Sequence, residues 1–431
     1  MDKLFEFFSF SDLNVQYVVI GSILLSASAA IVGCFTFLRK RALVGDAVAH
    51  SVLPGVALAF LLFETKNPLV LLIGASLTGW ISLISIDYIT RRTKIKADAA
   101  IGLVLSVFFG VGILLLTAIQ HSGSAAQSGL DKFLFGKAAS LVGDDLITFS
   151  IISILLVIIV IAFFKEFALI SFDIEHAKVI GLPVKFLEFI LATITVLAIA
   201  TGIQAVGVVL MAALLITPAT AARFWTDKLI VMVILAAVFG AISGIAGSFV
   251  SYTAPSMPTG PWIVVVLSVI AFLSIFFAPK KGMLFRIISK QNHKKKIIEE
   301  NILKALYHLG EQENEEYGKA YTEARLLEFR DFTVSDLKTG LNRLKRKRLI
   351  EKAGDKVWRL SEGGISEGKR ITRLHRLWEL YLTKYLRIAP DHVHEDAEAI
   401  EHVITPELEE RLEEILEYPQ TDPHQRNIPA K

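Results

Sequence analysis

Asp46 and His50 stand four residues apart in "GDAVAHSVLPG" (residues 45–55), within a stretch that is otherwise apolar. On an α-helix this spacing puts both side chains on one face. A carboxylate and an imidazole sharing a face suit a divalent transition metal such as manganese, zinc or iron(II). Pro54 and Gly55 follow at once. A proline there removes a backbone donor and is expected to kink the helix, freeing carbonyls beside the pair. The plainer reading stays open from spacing alone: Asp46 caps the helix start and His50 is a satisfied bundle histidine, since two ligands do not complete a metal site.

Two further groups of ligand-type residues lie near the C-terminus. His375 and Glu379 again share a helix face at i,i+4, and "HEDAEAIEH" sets His394, Glu398, Glu401 and His402 at spacings of four, three and one. This donor set reads as a second metal site or as a solvated charged face. Upstream, "RLKRKR" brings together Arg343, Lys345, Arg346, Lys347 and Arg348. Such a cluster fits nucleic-acid phosphate or anionic lipid headgroups.

The elements that must position these residues divide by solvent. The chain has 431 residues, 53% of them hydrophobic, and the apolar ones are concentrated in residues 1–285. There, runs of about 18–22 apolar residues recur, the length that crosses a bilayer core. Nine spans are expected: 16–38, 43–63, 68–89, 99–119, 146–164, 185–203, 205–223, 229–250 and 262–279. His50 then lies about 12 Å along the second span. Most other ionisable groups, Asp87, Asp98, Lys185 and Glu188 among them, fall at span ends where they reach headgroups.

Lys and Arg are concentrated in the turns after odd-numbered spans, such as "RKR" (39–41), "RRTKIK" (91–96) and "KKGMLFR" (280–286). The positive-inside rule makes those turns cytoplasmic, the N-terminus external and the C-terminal region cytoplasmic. The expected architecture is an all-α polytopic membrane domain (1–285), a winged helix-turn-helix-like domain with a small β wing (286–364) and a helical domain (365–431), for which the family likeness of its motifs implies metal binding and dimerisation. The wing is expected around Gly354 and Asp355, after a second helix at about Val334–Arg348. Gly240, Gly244 and Ser248 recur at four-residue spacing in the eighth span, for internal packing or a subunit interface.

Several functions are disfavoured. The single cysteine, Cys34, cannot form an intramolecular disulfide, and no cleavable leader is expected in "MDKLFEFFSFSDLN". No phosphate-binding G-x-x-x-x-G-K-[S/T] occurs; "GLDKFLFGK" (129–137) has Asp131 where glycine is needed and Ala138 after the lysine. The chain by itself is not expected to hydrolyse ATP. Carboxylates are scarce deep in the spans, which argues against a proton-driven relay.

Three stretches carry a resemblance: "RALVGDAVAHSVLPGVALAFLL" (41–62), "SFDIEHAKVIGLP" (171–183) and "VGVVLMAALLITPATAARFW" (206–225). They are similar to signatures of the permease subunit of ABC transporters that import manganese, zinc or iron. The resemblance covers about residues 10–280 and implies a dimeric pore, as a homodimer or permease heterodimer. It also implies a separate ABC ATP-binding subunit and an extracytoplasmic metal-binding solute protein. Asp46 and His50 match residues that line the ion path in that family. Glu175, Ala177, Gly181 and Pro183 match a cytoplasmic coupling segment for the ATPase.

The C-terminal region resembles the diphtheria-toxin-repressor family of metal-dependent regulators through "HRLWELYL", "VHEDAEAIEH" and "DPHQRNIP". That likeness implies ancillary metal ligands at His375, Glu379 and His394. It places a primary or paired-ion site at Glu398, Glu401 and His402. The family's first helix also supplies a ligand; the matching places here hold Asn301 and Lys304, and Lys304 brings a cation where an acid is expected.

Together these features make a membrane permease for a divalent metal, with a cytoplasmic tail that senses the metal and regulates transport. The alternative is a membrane-tethered, metal-dependent DNA-binding regulator, for which nine spans and a coupling motif exceed what an anchor needs.

Overall fold

The computed structural model describes residues 6–429 apart from 40–41, 66, 122–142, 255–256, 314–315, 387 and 389–405. The chain falls into two compact units, Met1–Phe285 and Arg286–Lys431.

The first unit is helical. Its elements are α1 (Leu13–Leu38), α2 (Ala42–Ser51), α3 (Leu53–Phe63), α4 (Pro68–Arg92), α5 (Ala97–His121), α6 (Gly143–Ala162), two short helices α7 (Phe164–Phe172) and α8 (Ile174–Val179), then α9 (Val184–Val206), α10 (Val208–Trp225), α11 (Leu229–Thr253) and α12 (Thr259–Phe277). Among the described residues, eight helical spans are long and apolar enough to cross a bilayer, with α2 and α3 together forming one. The expected seventh span is α10, 18 residues long with Pro218 inside the helix. This helix is sheltered by the others, with Met211, Leu214, Leu215, Ala219 and Ala222 buried. Gly207, at φ +92°, turns the chain from α9 into α10, a conformation only glycine adopts without strain.

Close helix approach organises the bundle. A Cβ on Gly33 of α1 would stand 1.8 Å from the Leu215 carbonyl oxygen of α10. Gly55 of α3 and Gly74 of α4 face each other so closely that a Cβ on Gly55 would meet the Gly74 carbonyl oxygen at 2.1 Å. The Gly240–Gly244–Ser248 stripe of α11 lies against α1. Cβ atoms on the two glycines would meet the Ser26 and Ser22 carbonyls at 2.6 and 2.9 Å, and Ser248 Oγ is 3.2 Å from Ser22 Oγ. The stripe therefore serves packing within the bundle.

The second unit opens in α13 (Met283–Gln312), whose Ile302, Leu303, Leu306 and Leu309 are buried. It continues through β1 (Tyr321–Thr322), α14 (Glu323–Phe329), α15 (Val334–Arg346), β2 (Ile350–Gly354) and β3 (Val357–Leu360). The expected two-stranded wing is present and gains β1 as a third, antiparallel strand, in the order β1-β3-β2, with Tyr321 opposite Trp358 and Ile350 opposite Leu360. Thr322 and Thr333 cap α14 and α15 by accepting from the Arg325 and Asp336 amides. Leu337, Leu341 and Leu344 of α15, spaced to share a face, close the core against α13 and Trp358. Helix α16 (Glu362–Leu386) and helix α17 (Pro406–Ile415) follow, joined by an ion pair between Arg373 and Glu413 and by Leu377, Leu412 and Leu416.

Candidate functional site

The span holding Asp46 and His50 is locally interrupted at Val52, between α2 and α3. Pro54 cannot supply the amide that would bond the His50 carbonyl. The interruption is gentler than the expected kink. Val52 keeps helical angles (φ −70°, ψ −27°), and its amide still donates to the Val48 carbonyl at 3.0 Å.

His50 Nε2 lies 3.6 Å from Asp46 Oδ1, with the Asp46 side chain 41% exposed and that of His50 18%. The imidazole packs on the edge of Phe109 of α5, ring centres 5.0 Å apart. Its Nδ1 is buried with no hydrogen-bond partner. The reading of His50 as a satisfied bundle histidine is thus not met by protein groups alone. Two donor atoms on one ion with bond lengths near 2.1 Å stand roughly 3.0–3.5 Å apart, close to the separation seen.

The coupling-type segment forms α8. Asp173 caps it, Oδ1 accepting from the His176 amide at 2.9 Å. Ala177 is fully buried against the bundle, whereas Glu175 is exposed and pairs with Lys178 at 2.7 Å. Gly181, at φ +84°, ends the segment, with the Leu182 amide donating to the Ala177 carbonyl at 3.1 Å. Val179 and Ile180 stand out from the surface, 83% and 54% exposed. A small helix held by one buried alanine, with apolar side chains projecting, has the form of a docking knob. Pro183 ends the turn as the cap of α9.

In the second unit, His375 and Glu379 meet at 3.1 Å (Nε2 to Oε1), each side chain only 2% exposed. His394, Glu398, Glu401 and His402 lie outside the described residues. Among the described residues no three His, Cys, Asp or Glu side chains come together as a metal group. On α13, Lys304 is buried, and Asn301 Oδ1 and His308 Nε2 are buried without hydrogen-bond partners. Burial, reinforced by Arg376 and Lys304, pushes the His308 imidazole down to about 3.

Sequence reasoning missed Arg376. Its guanidinium grips Glu311 of α13 bidentately at 2.9 and 2.8 Å and donates to the Asn427 carbonyl at 2.5 Å. Asp422 approaches its Nε at 3.7 Å while accepting from the His424 and Arg426 amides. The "DPHQRNIP" stretch is thereby fastened to α13 and α16. Its only advance signal was a basic residue beside His375, which spacing alone reads as a solvated charge.

The basic cluster ends α15. Lys347 donates to Glu299 of α13 at 2.5 Å and Arg343 approaches the same carboxylate at 3.9 Å. Lys345, Arg346 and Arg348 are exposed and have no ion-pair partner among the described residues.

A bundle of apolar spans long enough to cross a bilayer is the build of a multi-pass membrane protein, and the chain belongs to the ABC 3 transport family, whose model matches residues 11–278. Residues 361–430 match the iron dependent repressor, metal binding and dimerisation domain. The manganese transport system membrane protein MntC of Bacillus subtilis is 43% identical over 376 residues, covering 87% of this chain and 86% of that protein. The zinc transport system membrane protein TroC of Treponema pallidum is 44% identical over 278 residues, 64% of this chain and 93% of its own length. Among solved structures, PsaBC from Streptococcus pneumoniae in complex with Fab superposes with a TM-score of 0.58 at 33% identity, covering 64% of this chain and 97% of that one. This is a multi-pass membrane transport subunit and not an enzyme; its family implies ATP-hydrolysing and substrate-binding partners.

Proposed function

We propose that the chain is the membrane-spanning subunit of an ATP-driven importer of divalent transition metal ions, manganese, zinc or iron, and that its cytoplasmic tail senses the imported metal. The observation that carries the transport half is the 3.6 Å approach of Asp46 and His50 inside an apolar span. An ionisable pair at that depth is costly unless it serves a pathway. The passing ion is held by Asp46 Oδ1 and His50 Nε2, with the His50 carbonyl beside them. The ATPase docks on α8, and an external solute-binding protein delivers the ion. The pore is formed with a second permease copy or a related subunit.

The tail reading rests on the buried His375–Glu379 pair. In this reading His394, Glu398, Glu401 and His402 complete the metal sites, and metal occupancy favours one arrangement of the tail. It regulates transport only if the metal binds more tightly in one state of the pore than in the other. The exposed Lys345, Arg346 and Arg348 meet anionic lipid or DNA phosphate.

The test is metal uptake into vesicles containing the chain and its ATPase partner. Uptake requires ATP and is lost in Asp46→Ala and His50→Ala. Normal uptake in both variants removes the pair from the path. A chain lacking residues 290–431 keeps uptake but no longer responds to internal metal; an unchanged response removes the sensing role.

A further inference from the structure

A cavity of about 400 Å³ opens among the ends of α1, α2, α4, α5 and α9. Its inner wall is apolar, from Val44, Leu83, Ile101 and Leu191, and its rim is charged. A second cavity of about 330 Å³, lined by apolar side chains such as Leu72, Leu77 and Val196, continues between α4 and α9. Trp80 lines both cavities and packs edge-on against Phe189, ring centres 4.4 Å apart. Both volumes fall in the range of small-ligand sites.

The charges sit at one end only. Arg39 pairs with Glu188, and Arg91 with Asp87 at 3.6 Å. The two remaining charged groups of the rim, Asp98 and Lys185, have no partner among the described residues. Trp80 precedes Asp87 by seven residues, about 10 Å along the helix, within the depth of one leaflet of a roughly 30 Å hydrocarbon core. Ile73, Leu77 and Ile84 on the same helix are 60, 60 and 61% exposed, so the groove is open sideways to the acyl region.

We propose that this groove is a binding site for one zwitterionic aminophospholipid of the inner leaflet, its phosphate on Lys185, its ammonium on Asp98 and an acyl chain running past Trp80. The occupant is set by charge. Among the described residues, one unpaired cation and one unpaired carboxylate match a headgroup carrying both signs, and a primary ammonium, unlike choline, can donate a hydrogen bond to Asp98, whereas an anionic headgroup would leave Asp98 facing like charge. The single polar end matches one headgroup at one water interface. The lipid packs against Leu43 and Val44, the latter two residues before Asp46, and so touches the helix that carries the proposed ion ligands.

The test uses the full-length protein in nanodiscs containing trace lipid with brominated acyl chains, carried on phosphatidylethanolamine, phosphatidylglycerol or phosphatidylcholine. The Trp80 contribution is the difference between wild type and Trp80→Phe. Phosphatidylethanolamine should quench it at several-fold lower mole fraction than the other two. Lys185→Gln with Asp98→Asn should raise that fraction to the phosphatidylcholine level. Native mass spectrometry of the wild type should retain one such lipid per chain. Equal quenching by all three headgroups would mean a mere annular shell, and preference for phosphatidylglycerol an anionic-lipid site; either overturns the proposal. So does absence of quenching together with cross-linking between subunits through Leu77→Cys, which would make the groove a subunit seam.

Discussion

The His50 imidazole reaches back one helical turn to the Asp46 carboxylate, Nε2 to Oδ1 at 3.6 Å, while its Nδ1 is buried without a partner. In the proposed role the passing cation sits between these two side chains. That role predicts that charge and donor type matter separately. Asp46→Asn, which keeps an oxygen donor but removes the charge, should cut metal uptake at least about tenfold, in the range seen when a metal site loses supporting interactions. His50→Gln should do the same, and Asp46→Glu should retain part of the activity with an altered preference among manganese, zinc and iron. Uptake assays with competing metals check this, and identical selectivity in Asp46→Glu at full rate would count against direct contact.

Gly55 and Gly74 let α3 and α4 touch backbone to backbone. Gly55→Ala puts a methyl group 2.1 Å from the Gly74 carbonyl oxygen, so the helices must separate. The cost should be about 1–3 kcal/mol or more. Thermal unfolding in detergent should show a lower midpoint for Gly55→Ala, while Gly102→Ala, where the added methyl meets nothing within 4 Å, should leave it nearly unchanged.

Arg376 holds the C-terminal segment to α13 through Glu311 and Asn427. Arg376→Met removes the guanidinium from Glu311 and from the buried Asp422, which keeps the His424 and Arg426 amides. Losing these charge-assisted bonds should cost about 1–3 kcal/mol. Protease accessibility of residues 420–429 should rise sharply in this variant, with the membrane unit unaffected. Unaltered protection would show that apolar contacts around Ile428 suffice.

His308 ties tail stability to pH. Its imidazole is held down to about 3 in the folded tail by burial, against an ordinary value of 6.5. The unfolded chain therefore binds more protons than the folded one between those values, and stability falls as pH drops from 6.5 toward 3. The full loss is on the order of a few kcal/mol. The melting midpoint of the separately expressed tail, residues 286–431, should fall between pH 7 and pH 5, and His308→Phe should flatten that slope. A wild-type midpoint constant over this range would contradict the assignment.

Much of this was legible because it depends on local pattern. Leu13–Leu38 and Leu229–Thr253 declare themselves as spans through continuous apolar runs, since a bilayer demands length and apolarity. The i,i+4 spacing placed Asp46 beside His50, and His375 beside Glu379, because helix geometry fixes which side chains share a face. The β2–β3 wing turned where Gly354 and Asp355 stand.

The remainder required the chain to close on itself. Helix α10 was read as a span, but only the fold shows that it is sheltered by the other helices, with Met211, Leu214 and Leu215 buried. Gly33 gives no hint in the sequence that it faces Leu215, 182 positions later. Nor could spacing show that Arg376 grips Glu311, or that Lys347 pairs with Glu299 and is no longer a free surface charge. By itself the sequence determined the spans, the direction of the chain and the chemistry of the candidate ligands, all set by neighbours within a few residues. Tertiary structure alone decided which glycines permit contact, which charges are paired and where a groove opens, because those depend on residues brought together from distant parts of the chain.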